Sequence, residues 1–237
     1  MYKRAIILAG GKGTRLKPFT ISMPKPLVPV GELPILEIII KQLVYSGFTH
    51  ITITVNHMAD LIIAYFGDGS KWNVKIDYSL EHKPLSTMGP LKLIKDLPEN
   101  FLVMNGDVLT DIDFNQFFTS HCEQQNSFTI SSYIREEKSE YGVLEVDEGM
   151  NLIGFKEKPS VKYDVSMGIY ALNKIVLDYI PENIAFGFDN LMLRLLNSNI
   201  KVSIKKFEGY WLDIGRPGDY EVASDIFENN SKTFLKQ

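Results

Sequence analysis

One cysteine, Cys122, and two tryptophans are all that 237 residues contain of those types. A single thiol cannot close an intramolecular disulfide, and it fits a reducing compartment better than a secreted one. Long hydrophobic runs are also missing: no uninterrupted apolar stretch approaches the roughly 18 residues that span a bilayer. Lys3-Arg4 followed by Ala5–Ala9 imitates the charged start of a signal peptide, but the run is short and breaks at Gly10-Gly11-Lys12-Gly13. Nor is there an excess of one charge, since 25 basic and 29 acidic residues leave a net charge of -4. That balance gives no bulk attraction to a nucleic acid polymer or to an anionic membrane surface. These absences predict a cytoplasmic chain with neither partner, in which any phosphate ligand is met by a local basic patch.

The composition that remains, 45% hydrophobic and 23% charged, is that of a globular chain rather than a disordered one. Length alone allows one large α/β unit or two small domains. Short β-rich runs at 4–9, 51–55, 74–78 and 101–105 alternate with apolar residues at helical spacing over 35–45 and 58–66, the pattern of βα units wound onto a parallel sheet. From about Asp111 the texture changes. Strands are predicted at 128–134, 143–146, 152–155 and 168–172, with fewer helices between them, which reads as mixed sheet. Helices are predicted again at 174–180, 189–196 and 219–227, followed by a polar, frayed tail from Asn229. No linker tract, repeat or low-complexity segment divides the chain. The fold class predicted is α/β, a Rossmann-like mixed but mainly parallel sheet flanked by helices, in one domain over 1–237.

Directly after the first strand comes Leu8-Ala9-Gly10-Gly11-Lys12-Gly13-Thr14-Arg15. Three glycines in four positions let the backbone turn tightly and present its N–H groups to an anion, and Arg15 adds a permanent planar charge suited to phosphate. The spacing is neither the P-loop nor the dinucleotide fingerprint; alone, it is as readily a turn after an edge strand. Met23-Pro24-Lys25-Pro26 follows, with prolines holding the chain extended around Lys25. Phe101–Asn105 leads through Gly106 to Asp107, an acidic residue just past a buried strand, where open α/β sheets bind ligands. A second carboxylate, Asp213, stands in Trp211-Leu212-Asp213-Ile214-Gly215. His50, His57, His82 and His121 are scattered and suggest no zinc site.

The glycine loop with Arg15 and Lys25 resembles the signature of sugar-1-phosphate nucleotidylyltransferases, and further motifs follow in that family's order along nearly the whole chain. Mannose- and heptose-1-phosphate guanylyltransferases are the most similar in the stretch from Trp211 to Tyr220. The resemblance implies transfer of a nucleotidyl group from a nucleoside triphosphate to a sugar 1-phosphate with release of pyrophosphate. It assigns catalytic roles to Arg15, Lys25 and Asp107, and Mg²⁺ to Asp107 and Asp213. Nucleotide contacts would come from Leu8, Ala9, Gly10, Gly11, Gly13 and Thr14. The stretch Glu81 to Leu91 resembles the base-recognition loop, implying contacts from Ser86, Thr87 and Gly89. Ser86 replaces a usual glycine there and Met88 a usual alanine, which reshapes or narrows the base pocket. Glu81 and Asn56 are polar contacts to the base or local capping groups. On the sugar side, Tyr141-Gly142 and Phe155-Lys156-Glu157-Lys158-Pro159 resemble the sugar-phosphate loops, implying roles for Gly142, Glu157, Lys158, Asn105 and Gly168; Ser166 and Met167 depart from the usual pattern. GTP is favoured over UTP, CTP or dTTP, and a non-catalytic nucleotide-sugar-binding homologue is the rival from another class. Relatives of this kind often self-associate, so a homo-oligomer is compatible with the resemblance.

Overall fold

The computed structural model describes residues 2–235. In chain order the first half runs β1 (Arg4–Leu8), a small hairpin of β2 (Pro29–Val30) and β3 (Leu33–Pro34), α1 (Ile35–Tyr45), β4 (His50–Val55), α2 (Ala59–Phe66), β5 (Lys75–Leu80) and β6 (Asn100–Asn105). Next come β7 (Val108–Thr110), α3 (Phe114–Glu123), β8 (Phe128–Lys138), β9 (Val143–Val146), β10 (Leu152–Lys156) and β11 (Ser160–Asn173). The chain closes with α4 (Phe188–Asn197), β12 (Val202–Phe207), β13 (Trp211–Asp213) and α5 (Pro217–Leu235).

Seven strands form the central sheet in the order β12-β8-β11-β6-β1-β4-β5. β5, β4, β1 and β6 are mutually parallel, and β12 is parallel to β8, while β11 runs antiparallel to both of its neighbours. The sheet is therefore mixed but mainly parallel, as its sequence pattern predicts. β1 reads as a continuous apolar run because both faces of a central parallel strand are covered. Ala5 and Ile7 point into the layer formed with α1, α2, α3 and α5, whereas Ile6 points into the opposite layer with Leu91, Val176, Leu191 and Leu195. Leu102 and Met104 of β6 alternate with Phe101 and Val103 in the same way. No described helix is long and apolar enough to cross a membrane.

Four local expectations need correction. The helix expected at 174–180 is a 3-10 helix, Lys174–Tyr179, that stops one residue short, because Pro181 follows and disfavours α conformation at Ile180. α3 interrupts a region expected to be mainly strand; the Asp113 carboxylate caps it by accepting from the Gln116 N–H at 2.8 Å, and Phe114, Phe117, Phe118 and His121 form its buried stripe. β8 and β11 extend well beyond 128–134 and 168–172, because each pairs with the other along most of its length. The tail from Asn229 is not frayed over the described residues. α5 breaks at Asn230, where the Asn230 amide donates to the Ile226 carbonyl at 3.0 Å, and then resumes so that Phe234 is fully buried. Positions 236 and 237 of that expected tail lie outside the described residues.

Candidate active site

After β1 the sheet grows first to one side, through β4 and β5, and then to the other with β6. Such a switch opens a crevice at the carboxyl ends of the two diverging strands. Here those ends are Leu8 and Asn105, which face each other in register. The Gly106 N–H donates to the Leu8 carbonyl at 2.9 Å, and a Cβ on Gly106 would stand 3.0 Å from that same oxygen. Glycine at 106 lets the chain turn against the β1 backbone and deliver Asp107 to the mouth of the crevice.

The loop after β1 is shaped by contacts that two of its glycines permit. A Cβ on Gly10 would lie 2.6 Å from Glu81 Oε1. Gly13 has φ +61°, and a side chain there would press on Thr20 at 2.9 Å and Lys25 Cβ at 3.1 Å. Thr20 Oγ1 donates to the Gly13 carbonyl at 2.7 Å, closing the loop over the Pro24-Lys25-Pro26 segment. Lys25 forms an ion pair with Asp107 Oδ2. The exposed Arg15 comes round to the same place: a Cβ on Gly215 would be 3.4 Å from both Arg15 Nη2 and Asp213 Oδ2.

Backbone pairing, rather than sequence proximity, brings Asp107 and Asp213 together. Asp213 lies opposite Val108 in the antiparallel β7–β13 ladder, and the Ile214 N–H donates to the Asp107 carbonyl at 3.0 Å. Burial pushes the Asp213 carboxyl above the usual carboxylate range, and the nearby Asp107 adds to the rise against the opposing charges of Lys25 and Arg15. Asp107 Oδ1 is buried with no hydrogen-bond partner. An orphaned carboxylate oxygen beside a second, reluctantly ionised carboxylate fits a hard divalent cation that takes oxygen ligands and keeps other positions for water and phosphate. Among the described residues there is no group of three or more His, Cys, Asp or Glu side chains able to hold a metal, so the pair supplies two ligands and no closed cage.

Beside this centre lies a cleft of about 410 Å³ lined by Leu8, Gly10, Gly11, Lys12, Thr54, Asn56, Glu81, Pro84, Leu85, Ser86, Thr87, Asn105 and Asp107. Asn56 donates to the Glu81 carbonyl at 2.9 Å, and Glu81 Oε2 accepts from the Leu85 N–H at 3.1 Å. Burial raises the Glu81 carboxyl above its ordinary value. Ser86 sits at φ +63°, a left-handed conformation that suits glycine and costs other residues roughly 1–2 kcal/mol. Thr87 lines the cleft while its Oγ1 accepts from the Phe188 N–H at 2.8 Å, and Gly89 looks the other way, a Cβ there meeting the Ile184 carbonyl at 3.0 Å. Met88 is fully buried in the core beneath the loop and is not among the residues that line the cleft. Lys12, Thr54, Pro84 and Leu85 also line it, although no site role was expected of them; the position of Thr54 near the carboxyl end of a parallel strand was the available signal.

On the far side, Gly168 (φ +72°) packs under Asn105, whose Nδ2 would lie 2.5 Å from a Cβ at 168. The remaining sugar-side candidates stand apart from the cleft lining. Gly142 approaches the Phe155 ring and Glu157, a Cβ at 142 falling 2.6 Å from the ring and 3.3 Å from Glu157 Oε2. Gly142, Glu157 and Lys158 are all exposed on the arm built from β9, β10 and the outer parts of β8 and β11, and Lys158 adopts φ +43°.

A family model described as "Nucleotidyl transferase" matches residues 4–230. A UTP–glucose-1-phosphate uridylyltransferase from Synechocystis is 33% identical over 92% of this chain and 61% of its own length. The mannose-1-phosphate guanylyltransferase catalytic subunit beta of Drosophila melanogaster is 36% identical over 92% of this chain and 60% of its own length. The chain thus spans about 60% of the length of these curated relatives. Among solved structures, HddC from Yersinia pseudotuberculosis complexed with GMP-PN matches with a TM-score of 0.72 and 28% identity, covering 96% of this chain and 100% of that one. A structure titled as a putative glucose-1-phosphate thymidylyltransferase from Bacillus anthracis, 24% identical with a TM-score of 0.76, shares the fold.

Proposed function

This chain belongs to the nucleotidyl transferase family, and we propose that it joins a nucleoside triphosphate to a sugar 1-phosphate, releasing pyrophosphate and a nucleotide sugar. The observation that carries this reading is the convergence of Arg15, Lys25, Asp107 and Asp213 beside the cleft at the β1–β6 switch point. A sugar phosphate is already largely dianionic at neutral pH, its second pKa being about 6, so neither a general base nor a side-chain nucleophile is required. The task is to bring two polyanions together and align the sugar phosphate for in-line attack on the α-phosphorus.

Each side chain then has a definite part. Open space at Gly11 lets phosphates approach the loop closely, Gly10 lets the loop close against Glu81, and Arg15 stabilises charge on the departing pyrophosphate. Lys25, now paired with Asp107, offsets charge near the reacting phosphates, joined by Lys158 from the arm. Asp107 and Asp213 would hold Mg²⁺, which when bound would offset negative charge on the phosphate oxygens of the substrates. Glu81, Asn56, Ser86 and Thr87 form the base side of the cleft; Asn105, with Gly168 packed beneath it, begins the sugar side, and Gly142 and Glu157 on the arm are the further sugar contacts. The whole chain, 1–237, works as one cytoplasmic nucleotidyltransferase domain, because the two carboxylates come from different halves of it.

GTP with a mannose- or heptose-type sugar 1-phosphate is the favoured pair, supported by the guanylyltransferase names among the relatives and the GMP-PN complex of HddC. The Synechocystis relative supports a second reading, UTP with glucose 1-phosphate. Incubating the protein with each of four nucleoside triphosphates against a panel of sugar 1-phosphates, and scoring pyrophosphate, separates them. Release with GTP and a mannose or heptose phosphate is expected. Release only with UTP and glucose 1-phosphate selects the second reading, and silence across the panel overturns both.

A further inference from the structure

α1 is apolar along nearly all of its buried surface, yet it carries Gln42 there, 1% exposed. The Gln42 Nε2 donates to two backbone carbonyls on different elements: Thr110 of β7 at 2.7 Å and Phe234, in the last turn of α5, at 2.9 Å. Its Oε1 is buried and has no partner. A methionine of similar length would fill the same space without an orphaned carbonyl oxygen, so packing alone does not account for an amide at this site.

What the amide does is join three segments near the carboxylate pair. Thr110 is the last residue of the strand that begins directly after Asp107, and it pairs with Trp211 at one end of the ladder whose other end pairs Val108 with Asp213. We propose that Gln42 is a positioning residue for the Asp107–Asp213 cation site, latching the end of α5 to the β7–β13 ladder and so holding the two carboxylates in register. The inference rests on the reading that those carboxylates bind a divalent cation. Side chains that orient metal ligands without touching the metal change affinity by about 10–100-fold when lost, and Gln42, which acts through the backbone, belongs at the lower end of that range.

The test is Mn²⁺ binding to the full chain, followed by calorimetry, for wild type, Gln42→Met and Ile39→Val. Ile39 is a fully buried neighbour on α1 that makes no bond to the ladder, and its variant controls for loss of stability alone. Gln42→Met is expected to bind Mn²⁺ about tenfold more weakly, and Ile39→Val like wild type. Equal affinity in Gln42→Met and wild type, or equal losses in the two variants, overturns the proposal. Should Gln42→Met not fold, hydrogen exchange of the wild type decides, because coupling between site and latch is reciprocal. Mn²⁺ should slow exchange in residues 226–235, and unchanged exchange there overturns the latch. A wild type that binds Mn²⁺ yet makes no nucleotide sugar overturns the transferase reading only, since the latch is judged on metal affinity; a wild type that binds no Mn²⁺ overturns the latch.

Discussion

The backbone N–H of Ile214 donates to the carbonyl of Asp107 at 3.0 Å, extending the β7–β13 ladder so that Asp213 is held beside Asp107 by backbone bonds. The acidic pair is therefore built into the fold before any cation arrives. Its members cannot move apart to relieve their mutual repulsion, and Asp213 registers this as a raised pKa on top of the larger effect of burial.

That relationship predicts how stability depends on pH and metal. Below the carboxylate range Asp213 is protonated in both the folded and the unfolded chain and exerts no pH effect. As pH rises, the unfolded chain releases its proton first, so metal-free stability falls until the folded group has ionised as well. At neutral pH the metal-free protein should therefore gain melting temperature on Asp213→Asn, while wild type should gain it on adding Mg²⁺ and lose it with EDTA. Thermal melts with and without Mg²⁺ check both halves, and a fall in the metal-free melting temperature of Asp213→Asn would contradict the account.

Removing the charges should separate chemistry from folding. Arg15 is exposed and Asp107 is half-buried at the crevice mouth, so neither Arg15→Ala nor Asp107→Asn removes a core contact. Each should leave the circular dichroism spectrum unchanged and lower turnover by at least ~100-fold, the scale of losing one electrostatic contact to a developing charge. Near-normal turnover in either variant would remove that residue from the mechanism.

Ser86 offers a test with the opposite sign. Its left-handed backbone costs a serine roughly 1–2 kcal/mol that a glycine does not incur, whereas glycine costs about 0.4–1 kcal/mol through the freer unfolded chain. Ser86→Gly should be stabilising by about 0.5 kcal/mol on balance, and Ser86→Pro strongly destabilising because proline cannot reach φ +63°. Denaturant midpoints measure both, with unchanged slopes confirming that only stability has moved.

How legible these features were depended on the range of the physics behind them. β1, β4, β5 and β6 announced themselves because each is a local apolar run between turn residues, and Gly106-Asp107 could be placed at a strand end from the same local pattern. The β7–β13 ladder could not. Each of its strands has three residues, too few for a period, and the partner lies on the far side of the chain, so the meeting of Asp107 and Asp213 was visible only through family resemblance. Ser86 stands out as a substitution at a usual glycine, but nothing in a serine announces a positive φ. For Gly10 the general reason was right and the particular one hidden, since what fills the space of its missing Cβ is Glu81, a residue on another strand edge. The motif groups Gly142, Glu157 and Lys158, and two of the three do approach each other on the arm, yet no local signal says that none of them lines the cleft.

The clearest failure of local reasoning is the last segment, and it yields the strongest prediction for stability. Asn229-Asn230-Ser231-Lys232 is polar enough to look like the start of a fraying end, but the break in α5 at Asn230 redirects the chain inward. Phe234 lands with its ring centroid 5.9 Å from that of Phe227 and 5.8 Å from that of Tyr210, with no exposed surface. A fully buried phenylalanine truncated to alanine typically costs about 3–5 kcal/mol, whereas removing a side chain from a frayed terminus costs nothing measurable. Phe234→Ala should therefore lower the melting temperature by roughly 6–20 °C, at about 2–4 °C per kcal/mol for a chain of this size. A melting curve superimposable on wild type would mean that the end of α5 is not packed against the core.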